Sequence, residues 1–164
     1  MNDGGISGLA TRLVERARDA GVMVVTAESC TGGMIAAAIT DVAGASAVLD
    51  RGLVTYSNRA KMDLLNVPNT ILDTHGAVSM QTAAAMASGA LAASPDASLA
   101  VAVTGIAGPG GGSPEKPVGL VWFGIADGSG KPRTIRQVFS GDRAAIRDQA
   151  VATALSLLGD ALPA

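Results

Sequence analysis

Apolar residues Ile6, Leu9, Leu13 and Ala17 recur at helical spacing, with Arg12, Glu15, Arg16 and Asp19 on the other faces. This pattern predicts an amphipathic helix over 7–20, stopped at Gly21. The run 22–26, rich in β-branched residues, reads as a buried strand. A loop over 27–31 follows, and Gly32-Gly33 opens a helical segment over 34–39 that is ended by Gly44. A second strand is predicted over 48–56, strongest at Val54, Thr55 and Tyr56, then a short helix capped by Asn58 and carrying Ala60, Lys61, Leu64 and Leu65. Residues 68–73 read as a short helix or turn, and His75-Gly76 as a turn. Ser79 caps an Ala- and Met-rich helix over 82–93, and 99–104 is a further apolar strand. A glycine- and proline-rich loop spans 105–117. Strands over 118–126 and 134–139 flank Asp127-Gly128-Ser129-Gly130, a hairpin signal. Asp142 caps a last helix over 143–158, with Ile146, Ala150 and Ala154 facing inward. Early alternation of strands and helices with a late hairpin predicts a three-layer α/β/α domain with a mixed sheet. The pattern leaves strand order open.

Composition narrows this picture. The 164 residues suit one domain, 1–164, with residues 1–6 expected to be frayed. The chain is 48% hydrophobic but only 2% aromatic, so its core must use small aliphatic side chains and closely packed elements. The Ala- and Met-rich helices pack inside the domain or against another subunit, which makes a homo-oligomer an expectation. A net charge of −2 with no basic stripe argues against nucleic-acid binding. The single cysteine, Cys30, cannot form an internal disulfide, and no secretory signal or membrane-length apolar run is visible, so a cytoplasmic protein off the membrane is expected.

The first candidate for chemistry is the loop Ala27-Glu28-Ser29-Cys30-Thr31-Gly32-Gly33. In open α/β sheets ligands sit beyond the carboxyl ends of strands. A serine on a tight strand-to-helix turn is exposed beside amide N–H groups that suit an oxyanion. The Gly-x-Ser-x-Gly elbow is not met, and no Lys follows the glycines, which disfavours a Walker-type triphosphatase. Equally, Ser29 or Thr31 is a residue type that simply caps helices. Cys30 is either a nucleophile activated at a helix start or a small buried hydrophobe.

A nucleophilic serine needs a base. His75, the only histidine, would have to complete any Ser-His-Asp triad, but it sits in a turn-like segment. Lys61 lies five positions after Tyr56 on a helix with apolar neighbours, and a desolvated lysine can serve as base near neutral pH. A solvated Lys61 and a packed Tyr56 fit the same spacing. In the second glycine loop, Thr104 at the strand end is a candidate for a side-chain contact, and Gly105 and Gly108 permit close backbone approach to a ligand. Arg143 at a helix start either adds to an anion site or is a surface charge.

Taken together, Thr26-Ala27-Glu28-Ser29-Cys30-Thr31-Gly32-Gly33, Gly52-Leu53-Val54-Thr55-Tyr56-Ser57-Asn58 with Lys61, His75-Gly76-Ala77-Val78-Ser79, Thr104-Gly105-Ile106-Ala107-Gly108-Pro109-Gly110-Gly111, Lys116-Pro117-Val118-Gly119-Leu120-Val121-Trp122 and Ser140-Gly141-Asp142-Arg143 run through nearly the whole chain. In this order they resemble the CinA carboxy-terminal domain family and, within it, stand-alone nicotinamide mononucleotide amidohydrolases. The resemblance implies hydrolysis of the carboxamide of nicotinamide mononucleotide, without metal or cofactor. It implies Ser29 as nucleophile, Lys61 and Tyr56 assisting, and Thr104 and Arg143 contacting substrate. Combined with the loop reading, Lys61 relayed by Tyr56 would deprotonate Ser29. Amides of Cys30, Thr31 and Gly32 would hold the oxyanion, with Gly33 in the same cradle. Arg143 and the amides of Gly105 and Gly108 would hold the phosphate. The competing reading is a non-catalytic nucleotide- or partner-binding module; a phosphate-ester hydrolase lacks an evident metal cluster.

Overall fold

The computed structural model describes residues 4–164. One mixed sheet holds β1 Val24–Glu28, β2 Leu49–Val54, β3 Leu99–Gly105, β4 Leu120–Ala126 and β5 Arg133–Val138, in the order β2-β1-β3-β4-β5. β1 pairs in parallel with β2 and β3, and β4 and β5 add antiparallel. The helices are α1 Gly5–Ala20, α2 Met34–Thr40, α3 Asn58–Leu65, α4 Asn69–His75, α5 Met80–Ala92 and α6 Arg143–Ala161.

Side chains alternate across the sheet, and the two faces have different fillings. Leu99, Val101 and Val103 of β3 join a core with Leu13 and Val14 of α1, Ile35 and Ile39 of α2, and Leu155 and Leu158 of α6. Ala100 and Ala102 face the opposite way, toward Leu65 of α3, Leu72 of α4 and Met86, Ala87 and Ala90 of α5. The three-layer mixed α/β architecture expected from the pattern is therefore present. The second face shows why aromatics are dispensable. A Cβ on Gly124 of β4 would lie 2.4 Å from the Ala83 carbonyl oxygen of α5. One on Gly89 of α5 would lie 1.8 Å from the Leu65 carbonyl oxygen of α3. Helix α5 thus lies flush on the sheet, and α3 lies flush on α5. The Ala-rich α5 buries Thr82, Ala83, Met86, Ala87 and Ala90 within this domain.

Several element ends differ from the sequence reading, each for a local reason. β1 begins at Val24, because the Val22 N–H still closes the end of α1 on the Ala17 carbonyl. It runs on to Glu28, two residues into the expected loop. β2 stops at Val54, because the Thr55 and Tyr56 carbonyls turn away to Lys61. Ser57, not Asn58, caps α3; its extended backbone lets the hydroxyl accept the Ala60 N–H at 3.0 Å. His75 is the last residue of α4, and the turn begins at Gly76. Ser79 and Asp142 cap α5 and α6 as expected. Of the residues expected to be frayed, 1–3 lie outside the described residues, while Gly5 and Ile6 open α1.

Candidate active site

β1 is flanked by β2 on one side and β3 on the other, so the chain leaves the carboxyl ends of β1 and β3 around one crevice. Such a switch point is where open α/β sheets bind ligands. Ser29 is the first residue beyond β1, and its N–H donates to the Val103 carbonyl of β3 at 2.9 Å. Ser29, Cys30, Tyr56, Lys61, Thr104, Gly105 and Arg143 line a single cleft of about 170 Å³, together with Ala77, Val78 and Ala107. Thr31, Gly32, Gly33 and Gly108 do not line it.

The turn carrying Ser29 is organised by a residue to which the sequence reading gave no role. Glu28 is fully buried. Its Oε1 accepts the Gly33 N–H at 3.2 Å, the Ile35 N–H at 2.9 Å and the Thr31 hydroxyl at 2.7 Å. Its Oε2 accepts the Ala36 N–H at 3.0 Å and the Thr26 hydroxyl at 3.4 Å. An internal carboxylate therefore fills the start of α2, where free N–H groups would otherwise attract an external anion. The Thr31 hydroxyl and the Gly33 N–H are taken up by Glu28, which leaves the Thr31 N–H as the group that Thr31 can offer a substrate. The Gly32 N–H closes the turn on the Ser29 carbonyl at 3.1 Å, so it too is unavailable to an oxyanion. The sequence signal for this was an acid ending an apolar strand just before a helix start.

Lys61 is only 1% exposed. Its Nζ donates to the Thr55 carbonyl at 2.9 Å, the Tyr56 carbonyl at 3.0 Å and Ser29 Oγ at 3.0 Å. Burial penalises the ammonium and brings its pKa down from 10.5 to about 8; the nearby Cys30 thiol opposes this. The geometry has a chemical consequence. In the neutral amine, two N–H groups satisfy the two carbonyls and the lone pair is left for the Ser29 hydroxyl. The pair can therefore move a proton between Oγ and Nζ without breaking the contacts that hold the lysine.

Tyr56 contributes differently from the expected relay. Its main-chain carbonyl binds Lys61 and accepts a long 3.4 Å bond from Ser29 Oγ, while its side chain is 62% exposed. The phenol oxygen accepts from Arg143 Nη2 at 3.3 Å. Arg143 Nη1 also donates to the Gly108 carbonyl at 2.7 Å, and among the described residues it has no ion pair. Gly108 thus braces Arg143 through its carbonyl, and a Cβ there would lie 2.5 Å from Val118. A Cβ on Gly105 would meet Val121 at 2.7 Å, so both glycines have packing reasons. The Thr104 hydroxyl donates to the Ala77 carbonyl at 2.7 Å, tying the end of β3 to the segment between α4 and α5. Cys30 is buried, and burial pushes its thiol up to about 11, which fits a small hydrophobe and not a nucleophile. His75 lies outside the cleft, in a neighbouring depression with Trp122 and Arg136, so no Ser-His-Asp triad forms. Arg147, one turn beyond Arg143, was also missed; its guanidinium donates to the Cys30 carbonyl at 3.0 Å and the Thr31 carbonyl at 3.4 Å.

Fold and cleft together define a class: a three-layer α/β protein with a buried Ser–Lys pair at the switch point of its sheet. Comparison with known proteins makes the assignment specific. The CinA C-terminal domain model matches residues 6–162, and the chain belongs to that family. Among its relatives, a protein of Enterobacter agglomerans named nicotinamide-nucleotide amidohydrolase PncC is 58% identical over 135 residues, 82% of each chain. The Escherichia coli K12 protein of the same name is 50% identical over 158 residues, covering 96% of this chain and 95% of that one. The crystal structure of the competence/damage inducible protein CihA from Agrobacterium tumefaciens superposes with a TM-score of 0.90, at 53% identity and 93% coverage of both chains.

Proposed function

We propose that this protein is an amidohydrolase that converts nicotinamide mononucleotide to nicotinic acid mononucleotide and ammonia, with Ser29 as nucleophile and Lys61 as its base. The observation that carries the reaction type is the 3.0 Å contact between Ser29 Oγ and a buried lysine whose pKa lies near 8. The substrate follows from the names of relatives that match over most of the chain.

Neutral Lys61 takes the Ser29 hydroxyl proton as Oγ bonds to the amide carbon. The oxyanion is held by the amides that the turn leaves unused, those of Cys30 and Thr31. The Lys61 ammonium then gives its proton to the departing nitrogen, the C–N bond breaks and ammonia leaves. A water replaces ammonia, loses a proton to Lys61 and attacks the acyl ester; Lys61 returns that proton to Ser29 Oγ. Arg143, braced by Gly108 and Tyr56 and free of any ion pair among the described residues, receives the phosphate of the substrate, and that remote contact positions the amide. Work on such a mononucleotide in the cytoplasm, as a homo-oligomer, belongs to the same proposal.

The test is ammonia release from nicotinamide mononucleotide, beside free nicotinamide, by the wild type and Ser29→Ala. Release from the mononucleotide alone, reduced on the order of ten-thousand-fold or more in the variant, is expected. Full turnover by Ser29→Ala would remove the nucleophile. No release by folded wild type would leave a binding module.

A further inference from the structure

Arg143 and Arg147 stand one turn apart near the start of α6 but reach different groups, Arg143 the Gly108 carbonyl and Tyr56 hydroxyl and Arg147 the nucleophile turn. Arg143 reaches the cleft. Arg147 does not line the cleft, is half-buried, and makes no ion pair among the described residues. Its partners are two carbonyls of the turn, those of Cys30 at 3.0 Å and Thr31 at 3.4 Å, and a Cβ on Gly32 would sit 3.4 Å from its Nη2. A half-buried arginine used on neutral acceptors alone is a costly device for fastening a loop, since an uncharged donor would do.

Peptide geometry says what this device accomplishes. A trans peptide points its N–H opposite to its C=O. Fixing the Cys30 carbonyl on Arg147 fixes the Thr31 N–H on the other side of that plane. The next plane is fixed three ways: the Thr31 carbonyl accepts from Arg147 and from the Met34 N–H at 3.0 Å, and its Gly32 N–H is held by the Ser29 carbonyl at 3.1 Å. The first plane has no comparable second anchor. Its orientation rests on the guanidinium, and the same positive charge lies behind the point where an oxyanion develops.

We propose that Arg147 is a positioning residue for the amide hydrolysis, orienting the Cys30–Thr31 peptide so that its N–H is set for the oxyanion. This rests on the Ser29 nucleophile reading. A positioning role for the transition state predicts a loss in kcat, with KM for nicotinamide mononucleotide nearly unchanged, because the ground-state amide needs the oriented N–H far less than the oxyanion does.

The experiment is steady-state ammonia release by wild type, Arg147→Met, Arg147→Lys and Ser29→Ala, with thermal unfolding of each. Arg147→Met is expected to lose about a hundredfold in kcat at constant KM, the scale of one oxyanion donor. Arg147→Lys keeps the charge but not the two-pronged fork, so it should recover part of that loss. The pH at which kcat/KM levels off should stay where Lys61 sets it. Unchanged kcat in folded Arg147→Met, or a loss lying wholly in KM, overturns the proposal. Should Arg147→Met fail to fold, Arg147→Lys decides by the same criterion: reduced kcat at constant KM supports the role, and unchanged kcat overturns it. An inactive Ser29→Ala beside a fully active Arg147→Met defeats this inference alone. An active Ser29→Ala defeats the nucleophile reading with it.

Discussion

The turn over 29–33 and the loop over 106–119 leave neighbouring parallel strands and border the same cleft, yet they are held by different physics. The first is fastened by directional polar contacts: five donors on the Glu28 carboxylate, two carbonyls on Arg147 and the Gly32 N–H on Ser29. The second is fastened mainly by shape. Cβ atoms on Gly108, Gly112 and Gly119 would each strike Val118 or Phe139 within 2.8 Å, and two long-range side-chain ties, Lys116 to the His75 carbonyl at 2.6 Å and Arg143 to the Gly108 carbonyl at 2.7 Å, close it against α4 and α6. Directional bonds fix the orientation of a group that must react. Close backbone contact fixes the outline of a wall.

Breaking the reactive side should show first at Lys61. Lys61→Met should lower turnover by about ten-thousand-fold, as expected for a base acting as a unit with its nucleophile. In the wild type, kcat/KM should climb with pH and level off above about 8, where Lys61 becomes neutral. Stability should follow the same group. Between about 8 and 10.5 the unfolded chain holds the lysine proton and the folded chain does not, so this group makes stability rise with pH, and the raised Cys30 thiol opposes that rise above about 9. Urea midpoints at pH 8 and 9, below the range where the raised Cys30 thiol acts in the opposite sense, should show this rise in wild type and lose it in Lys61→Met.

Glu28→Gln is the next largest effect. An amide NH2 would confront backbone N–H donors in a fully buried site, and we expect a stability loss of about 3 kcal/mol together with reduced turnover. A variant as stable as wild type in urea would mean that the turn is not organised by the carboxylate. The loop over 106–119 should answer to bulk and not to polarity. Gly119 has φ +95° and its Cβ would lie 2.0 Å from the Phe139 carbonyl oxygen, so Gly119→Ala should cost about 2 kcal/mol or more. Gly110→Ala, with open space around it, should stay within about 0.5 kcal/mol. Equal unfolding midpoints for the two alanine variants would refute shape as what holds this loop.

The layers and most elements were legible because apolar patterning reports burial directly, as in the apolar run of β3 and the inward stripe of α6. The cleft was legible only in part. Ser29, Lys61 and Arg143 could be proposed because reactive side chains are scarce in this composition and sit beside strand ends. What stayed hidden was direction. Nothing in the local sequence says that Glu28 turns inward onto the start of α2, that Tyr56 meets Lys61 with its carbonyl instead of its hydroxyl, or that Arg147 folds back 116 and 117 positions to the turn. Each depends on a long-range neighbour. The packing demand on Gly105 and Gly108 stayed hidden for the same reason, since the atoms crowding them belong to β4 and the segment before it.

The contact between Gly89 and the Leu65 carbonyl reaches further than packing. Leu65 ends the helix that carries Lys61, so the height of that helix above the sheet is set by a position that does not line the cleft. Over evolutionary drift, most buried sites can trade one apolar residue for another and let neighbours compensate. Position 89 has no such exchange available, because the opposing group is main chain and cannot be swapped. Its permitted alphabet is a single letter, enforced by the placement of a base it never touches.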